Sequence, residues 1–259
     1  MRRLLIVAIL CCFPFLIKAQ VNTERYYKDY ERMGIMYDNS FGLNFAIGNI
    51  NYLELSNRFR VDYNDTIQDY FAVADYTYRI SNGKKNSNKG FIHIRTIRDL
   101  EERKFLMLEG YSQLEFNEFL LLKSRMLLGG GFRFDPIALI DSSLRQNGSL
   151  KLFLGTGIFY EYEVYSTDPI IKSQLIRWSN YLSLVLNVSK KIDLNMVHYL
   201  QPAPQDFSNF RYVLNLALNT QLTGKLYYEM RVEYLYRSIV YGGKKPGDIE
   251  VKNTLRLVF

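Results

Sequence analysis

The sequence predicts an all-β protein, an antiparallel up-and-down transmembrane β-barrel of about twelve strands. Three observations predict it. From Phe41 to the last residue, apolar and polar side chains alternate with period two almost without a break. The alternating runs are long, roughly 8–15 residues, which suits tilted strands that cross a bilayer better than soluble strands of about 5–6 residues. The connections alternate as well, tight and then long, as in a barrel with turns on one rim and loops on the other.

The chain opens with a cleavable export signal over residues 1–20. "MRR" is its positive start, "LLIVAILCCFPFLI" its apolar stretch, and "KAQ" its exit. Both cysteines, Cys11 and Cys12, lie inside this signal, and Leu10 before Cys11 does not suit a lipid-attachment cut. The mature chain is therefore expected to lack disulfides, thiolate metal sites and a cysteine nucleophile. Residues 21–40, "VNTERYYKDYERMGIMYDNS", are charged and irregular and read as a short periplasmic segment. The barrel is expected over residues 41–259.

Within it, Phe41, Leu43, Phe45 and Ile47 alternate with Gly42, Asn44, Ala46 and Gly48, up to a "GNIN" turn. Leu53, Leu55, Phe59, Val61 and Tyr63 alternate with Glu54, Ser56, Arg58, Arg60 and Asp62. After "NDTI", Tyr70, Ala72, Ala74, Tyr76, Tyr78 and Ile80 oppose Asp69, Asp75, Thr77 and Arg79. "SNGKKNSNKG" reads as a polar loop, followed by "FIHIRTIRD" and "KFLMLEGYSQLEF" around "LEER". In "LLKSRMLLGGGFRFD", Leu122, Met126, Leu128, Phe132 and Phe134 share the apolar parity against Lys123, Arg125 and Arg133. In "SLKLFLGTGIFYEYEV", Leu152, Leu154, Ile158, Tyr160 and Tyr162 oppose Lys151, Glu161 and Glu163. "IRWSNYLSLVLNVS", "IDLNMVHYL", "FRYVLNLALNTQL", "KLYYEMRVEYLYR" and "IEVKNTLRLVF" complete the set.

"NDTI", "LEER", "SKK" and "TGK" form the tight set of connections. "SNGKKNSNKG", "YSTDPIIKSQ", "QPAPQDFSN" and "SIVYGGKKPGD" form the long set. "EFNEF" is short on the loop side, and "PIALIDSSLRQNG" is long on the turn side, where it reads as a plug, a helical turn or an interaction segment. A soluble sandwich would also alternate, with its apolar face inward. Strand length, the turn-and-loop asymmetry and aromatic residues near strand ends (Tyr63, Tyr76, Tyr160, Trp178, Tyr212, Tyr234) favour the membrane, where such residues form interfacial girdles. Lipid offers no partner for an open sheet edge, so the last strand must close on the first.

The formal charge is +7. Without Arg2, Arg3 and Lys18 there remain 30 basic against 26 acidic residues, a net +4 scattered along the chain, so nucleic-acid binding is not expected. The polar parity carries charges of both signs. The candidates for the lumen are Arg58, Arg60, Glu109, Arg125, Arg133, Glu161, Glu163, Glu229, Arg231, Glu233 and Arg256. Glu54, Asp75, Arg79, Lys123, Lys151, Arg177 and Arg211 accompany them. One reading is a mutually neutralising network that fills a narrow lumen. The other is a hydrated pore whose charges select ions or small solutes. About twelve strands lies between filled eight-stranded barrels and open porins, so size does not choose.

"FAIGNINYLELSNRFRVDYND", "FIHIRTIRDLEERKFLMLEGYSQLEF", "RMLLGGGFRF" and "LKLFLGTGIFYEYE" resemble the salt-induced outer-membrane protein family, domain of unknown function 481. The resemblance spans about residues 41–259 and implies a bacterial outer-membrane barrel tied to salt stress. It carries over no catalytic residues. The ending Leu255-x-Leu257-x-Phe259 resembles the C-terminal signal read by the barrel assembly machinery, with Thr254 where that signal often has Gly. The start after "KAQ" resembles exported proteins of the Bacteroidota. Expected partners are therefore outer-membrane lipids and that machinery; no oligomeric state follows.

No enzyme and no cofactor are expected. A lipid hydrolase on a barrel of this size would need a nucleophile, a base and an orienting group in reach. His93 has Arg95 two residues on, where a serine would be wanted, and His198 sits on the lipid parity beside Met196 and Leu200. "LGGGF" lacks the Lys-Ser/Thr and helix of a phosphate loop, so Gly129–Gly131 read as room for a kink or a bulky lumen neighbour.

Overall fold

The structure, a computed structural model, describes residues 33–46, 51–101, 105–140 and 150–258. The export signal, residues 21–32, most of the "GNIN" turn, residues 141–149 and Phe259 lie outside the described residues.

Twelve strands follow one another: β1 Gly34–Ala46, β2 Tyr52–Asn64, β3 Gln68–Ser81, β4 Lys84–Asp99, β5 Leu106–Asn117 and β6 Leu122–Phe134. Then come β7 Leu150–Tyr165, β8 Ile171–Ser189, β9 Ile192–Ala203, β10 Asp206–Gln221, β11 Leu226–Arg237 and β12 Gly247–Val258. Each pairs antiparallel with its neighbours in sequence, and β12 returns to β1 to close the barrel. The closing register runs from Asp38↔Val258 to Phe41↔Leu255. Closure gives every wall strand two partners, which lipid demands because it cannot hydrogen-bond a free edge.

The face pattern is inside-out relative to a soluble protein. Leu128 is 68% exposed and Ile249 67%, whereas Arg133 and Arg125 in the lumen are 0% and 1% exposed. Such an apolar exterior is stable only against lipid. Trp178, Tyr160 and Tyr76 stand on that outer face, and Tyr63 packs against Tyr70 near the turn rim at 6.1 Å between centroids.

Four expectations are corrected. The wall begins at Gly34, so residues 34–40 belong to the barrel and not to a periplasmic segment. Ile35 and Tyr37 face out while Asp38 and Ser40 face in, and the ladder with β2 starts at Gly34↔Asn64. "SNGKKNSNKG" is not a long loop. Asn82 (φ 49°) and Gly83 (φ 73°) form the two-residue turn that an Asn-Gly pair favours, and β4 resumes at Lys84. "QPAPQDFSN" likewise shrinks to Pro204-Gln205 between β9 and β10. Finally, Leu122 faces the lumen and Lys123 faces out, the reverse of strict alternation. Lys123 is the extra residue of a bulge: β6 goes from Leu122 to Ser124 while β7 goes only from Tyr165 to Val164.

On the turn rim, "PIALI" forms a short helix, α1 Pro136–Ile140. Asp135 caps it, its Oδ1 accepting from the Ala138 N–H at 3.1 Å, and Pro136 takes the first helical position, where no N–H is needed. Ile137 is buried there.

Candidate functional site in the barrel lumen

Alternation places one side chain in two from every strand in the lumen, and twelve strands converge their charges there. Towards the loop rim the centre is Glu161 on β7. Arg125 of β6 donates to its Oε2 from Nε at 2.7 Å, and Arg177 of β8 to its Oε1 at 2.8 Å. Arg211 of β10 bonds Glu161 as well and reaches Glu163 Oε2 at 2.6 Å. Arg125 also meets Glu115 of β5 at 3.0 Å, and Tyr165 donates to Glu163 at 3.1 Å. Two adjacent carboxylates on one strand thus hold three guanidiniums from three others. Charges this deep persist because they are paired and hydrogen-bonded.

A second network lines the opposite wall. Arg58 binds Asp75 at 2.9 Å and approaches Glu229 at 3.6 Å, Glu229 binds Arg231, and Arg231 lies 3.5 Å from Glu233. Higher up, Glu54 binds Arg79, while Lys89 and Lys252 share Glu250 at 2.7 and 3.3 Å. Arg60 pairs with Asp62, two residues along its own strand, and Arg256 lies 3.5 Å from Asp38 across the closing seam. All eleven charged candidates therefore face the lumen, and ion pairs tie Glu109 to Arg95, Arg125 to Glu161 and Glu163 to Arg211 among them. Arg133 lays its guanidinium 3.7 Å over the Phe153 ring. Leu255 and Leu257 face lipid.

The charge pattern did not disclose the rest of the lumen. Towards the turn rim a packed layer joins Ile97, Met107, Phe153, Tyr181, Val197, Tyr199 and Val213. Arg95, Glu109 and the Tyr181 hydroxyl bind one another within it. His93, wholly buried, lies between the rings of Phe71 (5.8 Å) and Tyr111 (6.3 Å), and Tyr111 continues to Phe159 (6.4 Å). His198 faces outward, 3.4 Å from the Tyr212 hydroxyl. The signal for the layer was in the parity: Phe71, Phe153, Phe159 and Tyr181 share the polar face. Glycine makes the space. A Cβ on Gly155 would stand 1.9 Å from the Tyr181 ring, and one on Gly129 2.4 Å from the Phe159 Cβ.

The remaining space lies at the two mouths, and the wider one, 490 Å³ at the turn rim, is lined by Asn187, Asp193, Gln221 and Tyr227 among others. A cavity of 140 Å³ opens near the loop rim, lined by Asp75, Lys89, Glu115, Arg125, Glu233 and Glu250 among others. Beneath it, between Arg95, Glu109, Tyr111 and Tyr181, lies a space of only 10 Å³, about one water. The 238–246 loop reaches across the mouth. Tyr241 packs on Tyr165 at 4.5 Å, and Lys244 lies 4.5 Å over Phe119. Burial there pushes the Tyr241 hydroxyl above its ordinary range. On the exposed rim, hydrogen bonds from Lys85 and Asn88 hold the Glu118 carboxyl below the usual range.

The family model described as "Protein of unknown function, DUF481" matches residues 39–259. The chain belongs to the DUF481 family. Among solved structures, this DUF481 barrel is similar to the translocator domain of the autotransporter NalP from Neisseria meningitidis, at 12% identity and TM-score 0.50, covering 89% of this chain and 90% of that one. It is also similar to an outer-membrane channel from Pseudomonas putida F1 (10% identity, TM-score 0.49, 93% of this chain and 100% of that one). A third likeness is to the NanC porin (13% identity, TM-score 0.45, 86% and 97%). At these identities the likeness is one of fold, that of outer-membrane barrels. No curated protein matches the chain in sequence.

Proposed function

We propose that this DUF481 chain is an outer-membrane envelope barrel whose charge-lined lumen is sealed by its own side chains, rather than an open diffusion pore. One observation carries the reading. Arg60, Val73, His93, Arg125, Phe159, Arg177, Val197 and Asn215, inward residues of eight of the twelve strands, are each at most 2% exposed. A water-filled channel would wet them. The ion pairs then stiffen the wall, and the exposed surfaces left for function are the rims and the lipid face. Export through residues 1–20, and assembly through Leu255, Leu257 and Phe259, belong to the same proposal. The link to salt stress rests on resemblance alone.

Planar bilayers test the sealed lumen. The purified barrel is expected to stay silent, and stable conductance steps that shift in Arg58→Gln, Arg125→Gln or Arg231→Gln would overturn it. A narrow pore for ions or small solutes is the second reading, favoured by the charged cavity at the loop mouth. It requires the Phe71–His93–Tyr111–Phe159 belt to part. A lipid-hydrolase role is not proposed, because the His93 ring is flanked by Phe71 and Tyr111 and not by a nucleophile. The assembly proposal is tested by Phe259→Asp, which is expected to lower the yield of heat-modifiable barrel in the membrane fraction; unchanged yield would count against it.

A further inference from the structure

The outer wall carries a dent where β2 to β6 turn towards the loop rim. Its floor is made of two small outward residues, Ala74 and Gly90. Its sides are Phe59, Ile92, Leu114 and Met126, around a groove of 590 Å³. Small residues alone do not explain it, because the Tyr76 and Phe116 rings, 6.5 Å apart, converge over Gly90. A Cβ on Gly90 would stand 3.0 Å from both the Asp75 carbonyl oxygen and the Phe116 ring, so glycine is what lets the rings sink to the wall. The result is an apolar trough in the lipid-facing wall.

Lys123 stands at the rim of this trough. It is there because of the bulge: without that extra residue β6 would turn it into the lumen. Bulges re-aim side chains where function needs them. Lys172, on the outward parity of β8, pairs with Val164 of β7, and Val164 pairs with Ser124 beside Lys123. Two strand spacings separate them, about 10 Å. Both lysines are exposed, each is the second residue of its strand, and neither takes part in an ion pair among the described residues. In the lumen the cations sit against carboxylates. These two face a membrane interface with no countercharge among the described residues, which leaves them open to an anionic headgroup.

We propose that the trough binds an acyl chain of a phosphorylated glycolipid of the outer leaflet, with its phosphate held by Lys123 and Lys172. The loop rim of an outer-membrane barrel faces the cell exterior, and there the anionic lipid is of that kind. Long Lys side chains near the interface reach headgroup level at little cost. The assignment holds whether or not the lumen conducts.

Native mass spectrometry of the detergent-solubilised barrel tests it, with diphosphoryl lipid A, phosphatidylglycerol and phosphatidylcholine as probes. The wild-type barrel is expected to retain lipid A best. Lys123→Gln with Lys172→Gln is expected to weaken lipid A about fivefold per lysine, on the order of 30-fold together, and to leave phosphatidylcholine unchanged. Ala74→Phe, which fills the trough, is expected to lower retention of all three. Heat-modifiable mobility confirms that each variant is folded. Equal retention of lipid A and phosphatidylcholine by the wild type, or an unchanged lipid A affinity in the double variant, overturns the site. Phosphatidylglycerol held at least as tightly as lipid A overturns the glycolipid assignment.

Discussion

The two halves of the lumen are packed by different physics. Towards the loop rim, Glu161 and Glu163 gather Arg125, Arg177 and Arg211 into a network in which every member needs the others. Towards the turn rim, Phe153, Tyr181, Tyr199, Val197 and Met107 pack as in a small hydrophobic core, with Arg95–Glu109 as its polar insertion. The polar half holds its geometry through directional bonds and fails when one partner is lost. The apolar half holds it through volume and fails when volume is added or removed. A closed barrel can thus be filled without one continuous core, provided each half satisfies its own rule.

The largest effect is expected from the charged half. Glu161→Ala leaves three buried guanidiniums short of their shared carboxylate, and loss of about 3–5 kcal/mol is expected. A urea titration of the barrel in detergent micelles measures it; a loss below about 1 kcal/mol would show the arginines to be solvated, and hence the lumen to be wet. In the apolar half, Gly155→Ala drives a methyl into the Tyr181 ring. Overpacking of that kind costs about 1–3 kcal/mol, and the same titration should show it. An unchanged midpoint would mean that the ring has free room to move. The smallest effect is expected from salt. Raising ionic strength from about 0.1 to 1 M shrinks the screening length from about 10 to 3 Å, yet ions that cannot enter a sealed lumen cannot screen Glu161. The unfolding midpoint is therefore expected to shift little. A steep fall with salt would place the network in contact with bulk solvent.

Much of this was legible from the residues. Period-two runs located the twelve strands, and the charged parity identified Arg58, Arg125, Glu161, Glu229 and the rest as lumen residues. Three features were harder to read. Asn82-Gly83 is a strong turn signal, but the polar residues after it resemble a loop because strands that extend beyond the membrane no longer need an apolar face. Upstream, Ile35 and Tyr37 were masked by charged neighbours, although their alternation with Asp38 is regular. The bulge at Lys123 leaves no local mark, since an extra residue becomes visible only when the neighbouring strands impose a register.

By itself the sequence determined an approximate strand count, the antiparallel order and the sign of each face, because a strand turns its side chains alternately and that period is local. Tertiary structure alone decided which charges meet. Glu161, Arg125, Arg177 and Arg211 come from four strands, and they share one point only because closure brings those strands around a common axis. It also decided how closely the lumen is packed, since that depends on the volumes of inward residues summed across the whole circumference, which no single strand contains.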